Sequence, residues 1–71
     1  MSSADLIHVQ GTITKMHNAH SYEVTLDTGH RIAATLSGRL VRARINLTLA
    51  DRVAVGLSPY DPTKGRIESR L

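Results

Sequence analysis

The stretch SGRLVRAR, residues 37–44, places three arginines around Leu40 and Val41. Ser37 is suited to cap a helix because its hydroxyl can accept a hydrogen bond from an early helical N–H. A helix this short is not stable alone, so it must pack against neighbouring structure. Its position in the chain decides the fold, because the segments on both sides have the alternating pattern of β-strands.

Three strand-like segments precede this stretch and two follow it. In the first, Ile7, Val9 and Ile13 share one face with Gly11, and polar residues occupy the other face. A glycine inside a strand is typical of a bend or bulge, which a small barrel needs in order to close. A polar break, HNAH, follows, and the next turn is predicted at Thr28-Gly29. The predicted strands are residues 6–16, 21–27, 30–36, 51–57 and 66–69, and the last two are separated by the turn-rich segment SPYDPTKGR.

This order of elements predicts an all-β protein. Three strands, a short helix and two strands are typical of the five-stranded Greek-key OB-fold barrel, with its helix between strands 3 and 4. The SH3-like barrel is the alternative, but it has no helix at that position. Because the chain lacks Phe and Trp, the core must consist of Ile, Val, Leu and Ala, with Tyr22 as a further candidate. We predict one domain over residues 5–71, preceded by a disordered segment at residues 1–4.

Several functional classes find no support in the composition. The 71 residues include no cysteine, so disulfides and thiolate metal sites are excluded. Four histidines are present, but their spacing does not indicate a metal site, and we expect neither metal nor cofactor. No nucleophile–base set, glycine-rich phosphate loop or carboxylate pair indicates an enzyme. No apolar run approaches the ~20 residues of a membrane span and no signal peptide is evident, so we expect a cytoplasmic protein without membrane contact.

The charge is unevenly distributed along the chain. Residues 1–29 carry one lysine against three acidic residues, whereas residues 30–71 carry seven arginines and one lysine against three acidic residues. Arginine suits phosphate and base-edge recognition because its planar fork donates two parallel hydrogen bonds. A polyanion is therefore the predicted partner, with a solvated basic surface as the alternative. Tyr22 alternates with apolar residues and Tyr60 lies in a proline-rich loop, so any RNA contacts must come chiefly from arginines.

Four motifs resemble those of bacterial translation initiation factor one. They are V-x-L-x-x-G-H at residues 24–30, L-S-G-R at 36–39, D-R-V at 51–53 and the long S-P-Y-D-x-x-K-G-R-I at 58–67. The resemblance extends over nearly the whole chain and implies the same barrel. It also implies a non-enzymatic, monomeric factor that binds the small ribosomal subunit at the decoding A site, against rRNA and an adjacent ribosomal protein. Such a factor assists assembly of the initiation complex together with the other initiation factors.

The resemblance also assigns candidate rRNA-binding residues. The family's contact positions correspond to His30, Arg39, Arg42, Lys64, Arg66 and Arg70. The chain departs from the family pattern mainly around the helix. Val41 replaces a cation, Arg44 an aromatic residue, Asn46 an arginine and Ala50 a glycine, while HNA and YE replace the usual Leu-Pro-Asn and Phe-Arg.

A helical wheel separates two roles within residues 37–44. Leu40 and Val41 fall on an apolar arc that is expected to close one end of the barrel, and Arg39 and Arg42 fall outside it. Arg44 falls inside the arc, so either the helix ends by Ala43 or the arginine stem lies along the core with its head in solvent.

Two other functions remain open at this point. A cold-shock-like RNA chaperone shares the barrel, but such proteins rely on exposed aromatic residues, and this chain has few. A protein-interaction module would instead use its basic face to bind an acidic partner.

Overall fold

The computed structural model describes residues 6–71, so the segment predicted to be disordered, residues 1–4, lies outside the described residues together with Asp5. The elements are β1 (Ile7–Asn18), β2 (Ser21–Leu26), β3 (Arg31–Leu36), α1 (Gly38–Arg42), β4 (Arg52–Ser58) and β5 (Asp61–Arg70). The strands close a barrel in the order β1-β2-β3-β5-β4. β3 and β5 are parallel and the other neighbours are antiparallel. The predicted OB-fold barrel, with its helix between the third and fourth strands, is confirmed.

The core is aliphatic, as the composition requires. Alternate residues of the strands point inward, and Tyr22 joins them with only 2% of its surface exposed. The Tyr22 hydroxyl donates a hydrogen bond to the carbonyl of Ala19 at 2.8 Å, which satisfies its one polar group. One core residue was not predicted, because Leu47 lies in the connection after α1 and is nevertheless buried.

Gly11 has a different role from the predicted bend. The strand β1 shifts register against β2 between Ile13 and Lys15 and again between Met16 and Asn18, not at Gly11. At Gly11 a Cβ atom would lie 2.6 Å from Val24 Cγ1 and 2.7 Å from the carbonyl oxygen of Thr25. Glycine is required there because β1 and β2 approach too closely for a side chain.

The last strand is longer than predicted. β5 begins at Asp61, so only Pro59 and Tyr60 remain between β4 and β5. The register against β4 jumps from Ser58↔Asp61 to Leu57↔Gly65, which leaves Pro62 in the irregular part of the ladder. Proline is tolerated there because the missing N–H would have no regular partner.

The prediction that Val41 closes the barrel is wrong. Leu40 is the buried residue of α1, at 8% exposure, whereas Val41 is 40% exposed. The helix spans five residues, which is little more than one turn, so it presents a narrow face to the core. The chain then turns back, and Ile45 and Leu47 supply the rest of the contact.

Within residues 6–71, no helix has the length and apolar character that crossing a membrane would require.

Candidate nucleic-acid interface

The seam between β3 and β5 positions two of the candidate residues. Lys64 lies opposite Ala33 and Arg66 opposite Thr35 in the parallel ladder, and all four are exposed. The inward positions between them are those of Ala34 and Gly65, which are paired with each other in the ladder. Because side chains alternate along a strand, Lys64 and Arg66 must both face solvent on the same side of β5. In the barrel this seam lies across from β1.

The helix continues this basic surface. The Ser37 N–H donates to the carbonyl of Ile67 at 3.1 Å, so α1 starts directly beside the end of the seam. The Ser37 side chain caps the helix by accepting from the Leu40 N–H at 3.4 Å. Since Leu40 anchors the helix in the core, Arg39 and Arg42 are left exposed, as predicted. We call Lys64, Arg66, Arg39 and Arg42 the basic stripe.

His30 lies away from the helix. It follows Gly29, whose φ of 97° confirms the predicted turn, and it precedes β3, whereas α1 follows the other end of β3. Its Nδ1 is 3.0 Å from Thr28 Oγ1, which orients the ring. His30 borders a mainly apolar cleft of about 330 Å³ at this end of the barrel. The candidate residues are therefore distributed beside β3, from its start to beyond its end.

Arg70 does not extend the basic stripe. A register shift between Ala54 and Val55 places Arg70 opposite Val53, a residue of the core face, near the end of β5. Its guanidinium donates to the carbonyl of Asn46 at 3.4 Å, in the connection after α1. The bulge therefore gives Arg70 a contact with the protein backbone that the sequence pattern did not indicate.

Arg31 is a candidate that the sequence analysis missed. It is exposed at the start of β3, and Ala33 and Thr35 follow it on the same outer side. The predicted inward positions of Ile32 and Ala34 already implied that Arg31 faces outward. It extends the cationic surface of the seam towards His30.

Arg52 differs from the candidate residues because it forms an ion pair within the protein. Arg52 makes a bidentate ion pair with Asp27, with nitrogen–oxygen distances of 2.6 and 2.9 Å, and it also donates to Thr12. The hydrogen bond from Arg52 holds the pKa of Asp27 below its ordinary value of 3.8. In the described part of the chain, none of the six candidate residues forms an ion pair. They are available to an external anion, whereas Arg52 stabilises the barrel wall.

The histidines do not assemble a metal site within the described residues. No group of three or more histidine, aspartate or glutamate side chains there comes close enough to hold an ion. His8 instead lies 2.9 Å from a Glu68 carboxylate oxygen, across the outer face of β4.

Comparison with known proteins identifies the family, although no family model matches the chain. The chain is 43% identical over 70 residues to "Translation initiation factor IF-1 2" of Bordetella avium (strain 197N), covering 99% of this chain and 80% of the relative. The chain belongs to the translation initiation factor IF-1 family. This confirms the resemblance that its motifs indicated.

Solved structures agree with this membership. The solution structure of translation initiation factor IF-1 from the Wolbachia endosymbiont strain TRS of Brugia malayi superposes with a TM-score of 0.81 at 39% identity, over 99% of this chain and 83% of that one. The crystal structure of YjeQ from Thermotoga maritima matches with a TM-score of 0.73 at 26% identity, over 92% of this chain but 23% of that one. The IF-1 barrel thus recurs as a part of a longer polypeptide.

Proposed function

We propose that this member of the IF-1 family acts in the cytoplasm as a non-catalytic, monomeric initiation factor that binds the small ribosomal subunit at the decoding A site. It contacts rRNA through His30, Arg39, Arg42, Lys64, Arg66 and Arg70, lies against an adjacent ribosomal protein, and assists assembly of the initiation complex with the other initiation factors. Family membership supports the role, and the basic stripe supports the mode of binding.

The observation that carries the proposal is the availability of the cations in the basic stripe. Four cationic side chains on β5 and α1 face solvent and have no carboxylate partner within residues 6–71. Exposed cations without a carboxylate partner can donate to phosphate oxygens without first breaking an internal ion pair. Arg31 adds a further cation on the same side of the barrel.

The chain has little of the aromatic surface that a cold-shock-like chaperone uses. Of its two aromatic residues, Tyr22 lies in the core and Tyr60 is 92% exposed at the tip of the β4–β5 turn. Tyr60 therefore does not pack against its own loop. One exposed ring can stack on one base, which is insufficient for binding along a single strand.

Pelleting with purified small subunits tests the proposal directly. The folded wild-type protein should co-sediment at low salt, and Arg39→Ala and Arg66→Ala should each weaken binding by about 1–3 kcal/mol, as expected for charge-assisted hydrogen bonds. Lys15→Ala is the control, because Lys15 is an exposed cation on β1, opposite the β3–β5 seam. Failure of the wild-type protein to co-sediment would exclude the proposed function.

Two further measurements separate the alternatives. Tighter binding to short single-stranded RNA than to intact subunits would favour the chaperone. Subunit binding that is insensitive to both Arg39→Ala and Arg66→Ala would favour a protein-interaction module. Thermal unfolding of each variant must accompany these assays, since loss of a cooperative transition would mean that the arginine has a structural role.

A further inference from the structure

The two ends of the barrel differ in how they are closed. At the end where β3 leads into α1, the buried side chain of Leu40 covers the core. At the opposite end, beside the turn at Gly29, no helix covers the core within residues 6–71, and a cleft of about 330 Å³ opens between the strands. We call this cleft the mouth. Its floor consists of one aliphatic residue from each of the first four strands, namely Val9, Leu26, Ile32 and Leu57.

The floor of the mouth is apolar, accessible to solvent and held in place. Leu26, Ile32 and Leu57 keep 6%, 5% and 6% of their surface exposed. The valines deeper in the barrel keep none, namely Val24, Val53 and Val55. A Cβ atom at Gly65 would lie 2.9 Å from Leu57 Cδ2 and 3.0 Å from Ile32 Cδ1, so both side chains lie against the backbone of Gly65. Because the floor is packed in this way, it needs little ordering when a ligand binds.

The rim of the mouth offers hydrogen-bond donors, and no carboxylate lines it in the described part of the chain. Arg31 borders the mouth and forms no ion pair there. His30 also borders it, with Nδ1 3.0 Å from Thr28 Oγ1, and Nε2 has no hydrogen-bond partner among residues 6–71. Asp61 is close in sequence, but it accepts hydrogen bonds from the amide and hydroxyl of Thr63. The rim can therefore receive an anion at Arg31 and His30.

The size of the mouth limits what it can hold. Small-molecule sites combine an apolar lining with a few polar groups, have volumes of roughly 300–1,000 Å³ and occur in the mouths of β-barrels. At roughly 30 Å³ for a group the size of a water molecule, the mouth holds about eleven such groups. This is close to the number of non-hydrogen atoms in octanoate.

The floor and the rim together suit an amphipathic anion. We propose that the mouth binds a small monocarboxylate with an aliphatic chain, in which the chain lies on the floor and the carboxylate lies at Arg31 and His30. The guanidinium of Arg31 suits this group because it can donate two parallel hydrogen bonds to a carboxylate. The inference goes beyond the proposed function and does not depend on it.

Nuclear magnetic resonance of the isolated protein is the first test. Octanoate should shift the amide signals of Thr28, Ile32 and Leu57 until they saturate, and it should leave those of Leu40 and Arg42 at the other end of the barrel unchanged. 1-Octanol keeps the chain without the charge and should bind about tenfold more weakly. Acetate keeps the charge without the chain and should cause no saturable shift. Absence of saturable shifts with octanoate, or equal affinities for octanoate and 1-octanol, would overturn the proposal.

Removal of the rim cation is the second test. Arg31→Gln should weaken octanoate binding about tenfold, because the charge-assisted hydrogen bonds are lost, and it should leave 1-octanol binding unchanged. Lys15→Gln is the matched control, since it removes the same charge from an exposed position on β1 that does not line the mouth. Equal octanoate affinities of the two variants would show that the carboxylate is not held at Arg31.

Filling the mouth is the third test. Val9→Phe enlarges a floor residue and should abolish octanoate binding, whereas Val41→Phe, the same change on α1, should not affect it. Octanoate binding by Val9→Phe at wild-type affinity would place the ligand elsewhere. If thermal unfolding shows that Val9→Phe does not fold, the comparison of Arg31→Gln with Lys15→Gln still decides the question.

Two further outcomes separate this site from other interpretations. Tighter binding of N-acetyl-leucyl-leucine than of octanoate would overturn the assignment and indicate a site for the carboxyl end of a peptide. No ribosomal subunit enters these measurements. Failure of the wild-type protein to bind subunits would therefore remove the proposed function, while saturable octanoate binding would still support the mouth.

Discussion

Ala50 adopts the left-handed conformation, with φ of 74°. Its amide donates to the carbonyl of Ile13 at 2.8 Å, so the turn is held against β1 and cannot relax freely. A residue with a Cβ atom is strained in this region, whereas glycine is not. The structure therefore gives a physical reason for the glycine that the family pattern has at this position.

Ala50→Gly should stabilise the protein by about 1 kcal/mol, because relief of strain exceeds the added entropy of the unfolded chain. Urea unfolding measures the change. Ala54→Gly is the control, because Ala54 lies in β4 without a positive φ. This substitution should destabilise the protein by about 0.5–1 kcal/mol. Destabilisation by both changes would show that residue 50 is not in the left-handed conformation.

The Asp27–Arg52 pair links β2 to the start of β4 across β1. Both side chains are about half exposed, so the pair contributes modestly to stability. The pKa of Asp27 is lower in the folded state than in the unfolded chain, so the ionised carboxylate stabilises the fold at pH values above the pKa of the unfolded state. This stabilisation is lost as the pH falls through the lower pKa of the folded state.

Asp27→Asn should therefore lower the urea midpoint at neutral pH, and the difference from wild type should shrink below about pH 4. The pH series should be repeated with Arg52→Met and with the double variant. If the interaction with Arg52 is the cause, Asp27→Asn should have little further effect once Arg52 is replaced. A difference that is independent of pH would contradict this explanation.

At the scale of the element, α1 ends in a Schellman motif. The Arg44 N–H donates to the carbonyl of Val41 at 3.1 Å and the Ile45 N–H donates to the carbonyl of Leu40 at 3.2 Å. Arg44 occupies the left-handed position of this motif, with φ of 55°. The helix thus ends before Arg44, which is exposed, and this resolves the alternative that the helical wheel left open.

Arg44→Gly should stabilise the protein, by up to about 1 kcal/mol, because glycine is the preferred residue at the left-handed position after a helix. Arg42→Gly is the matched control, since the same change inside the helix should destabilise by about 1 kcal/mol. Differential scanning calorimetry of both variants checks the sign. A lower melting temperature for Arg44→Gly would argue against the Schellman end.

At the scale of the whole molecule, cations outnumber carboxylates on the side formed by the β3–β5 seam and α1. This side carries Arg31 and the basic stripe against Asp61 and Glu68 of β5, while Asp27 and Glu23 lie on β2 or at its end. Several cations of the basic second half of the chain thus come together on one side of the molecule. A field of this kind attracts a polyanion and orients it before contact.

Subunit binding should weaken steeply as salt rises from about 50 to 200 mM, because each phosphate contact releases counterions. Arg66→Ala should make the dependence less steep than it is for wild type, and Lys15→Ala should not. Affinity that is independent of salt would indicate an apolar protein–protein contact in place of the rRNA contact.

The strands, the helix and their order could be predicted from the sequence because they depend on local patterns. Alternation identified five strands, Ser37 identified the helix start, and the aliphatic core with Tyr22 followed from the same alternation. Family motifs also identified the cations of the basic stripe. These features depend on residues that are close together in the chain, so a single sequence contains them.

Other features depend on contacts between distant segments, and only the tertiary structure decided them. The bulge in β5 separates Arg70 from Arg66, the close approach of β1 and β2 requires Gly11, and the ion pair with Asp27 removes Arg52 from the available cations. The sequence by itself determined which residues can form strands and carry charge, whereas strand register and packing decided which charges remain free to bind, because pairing partners come from remote parts of the chain.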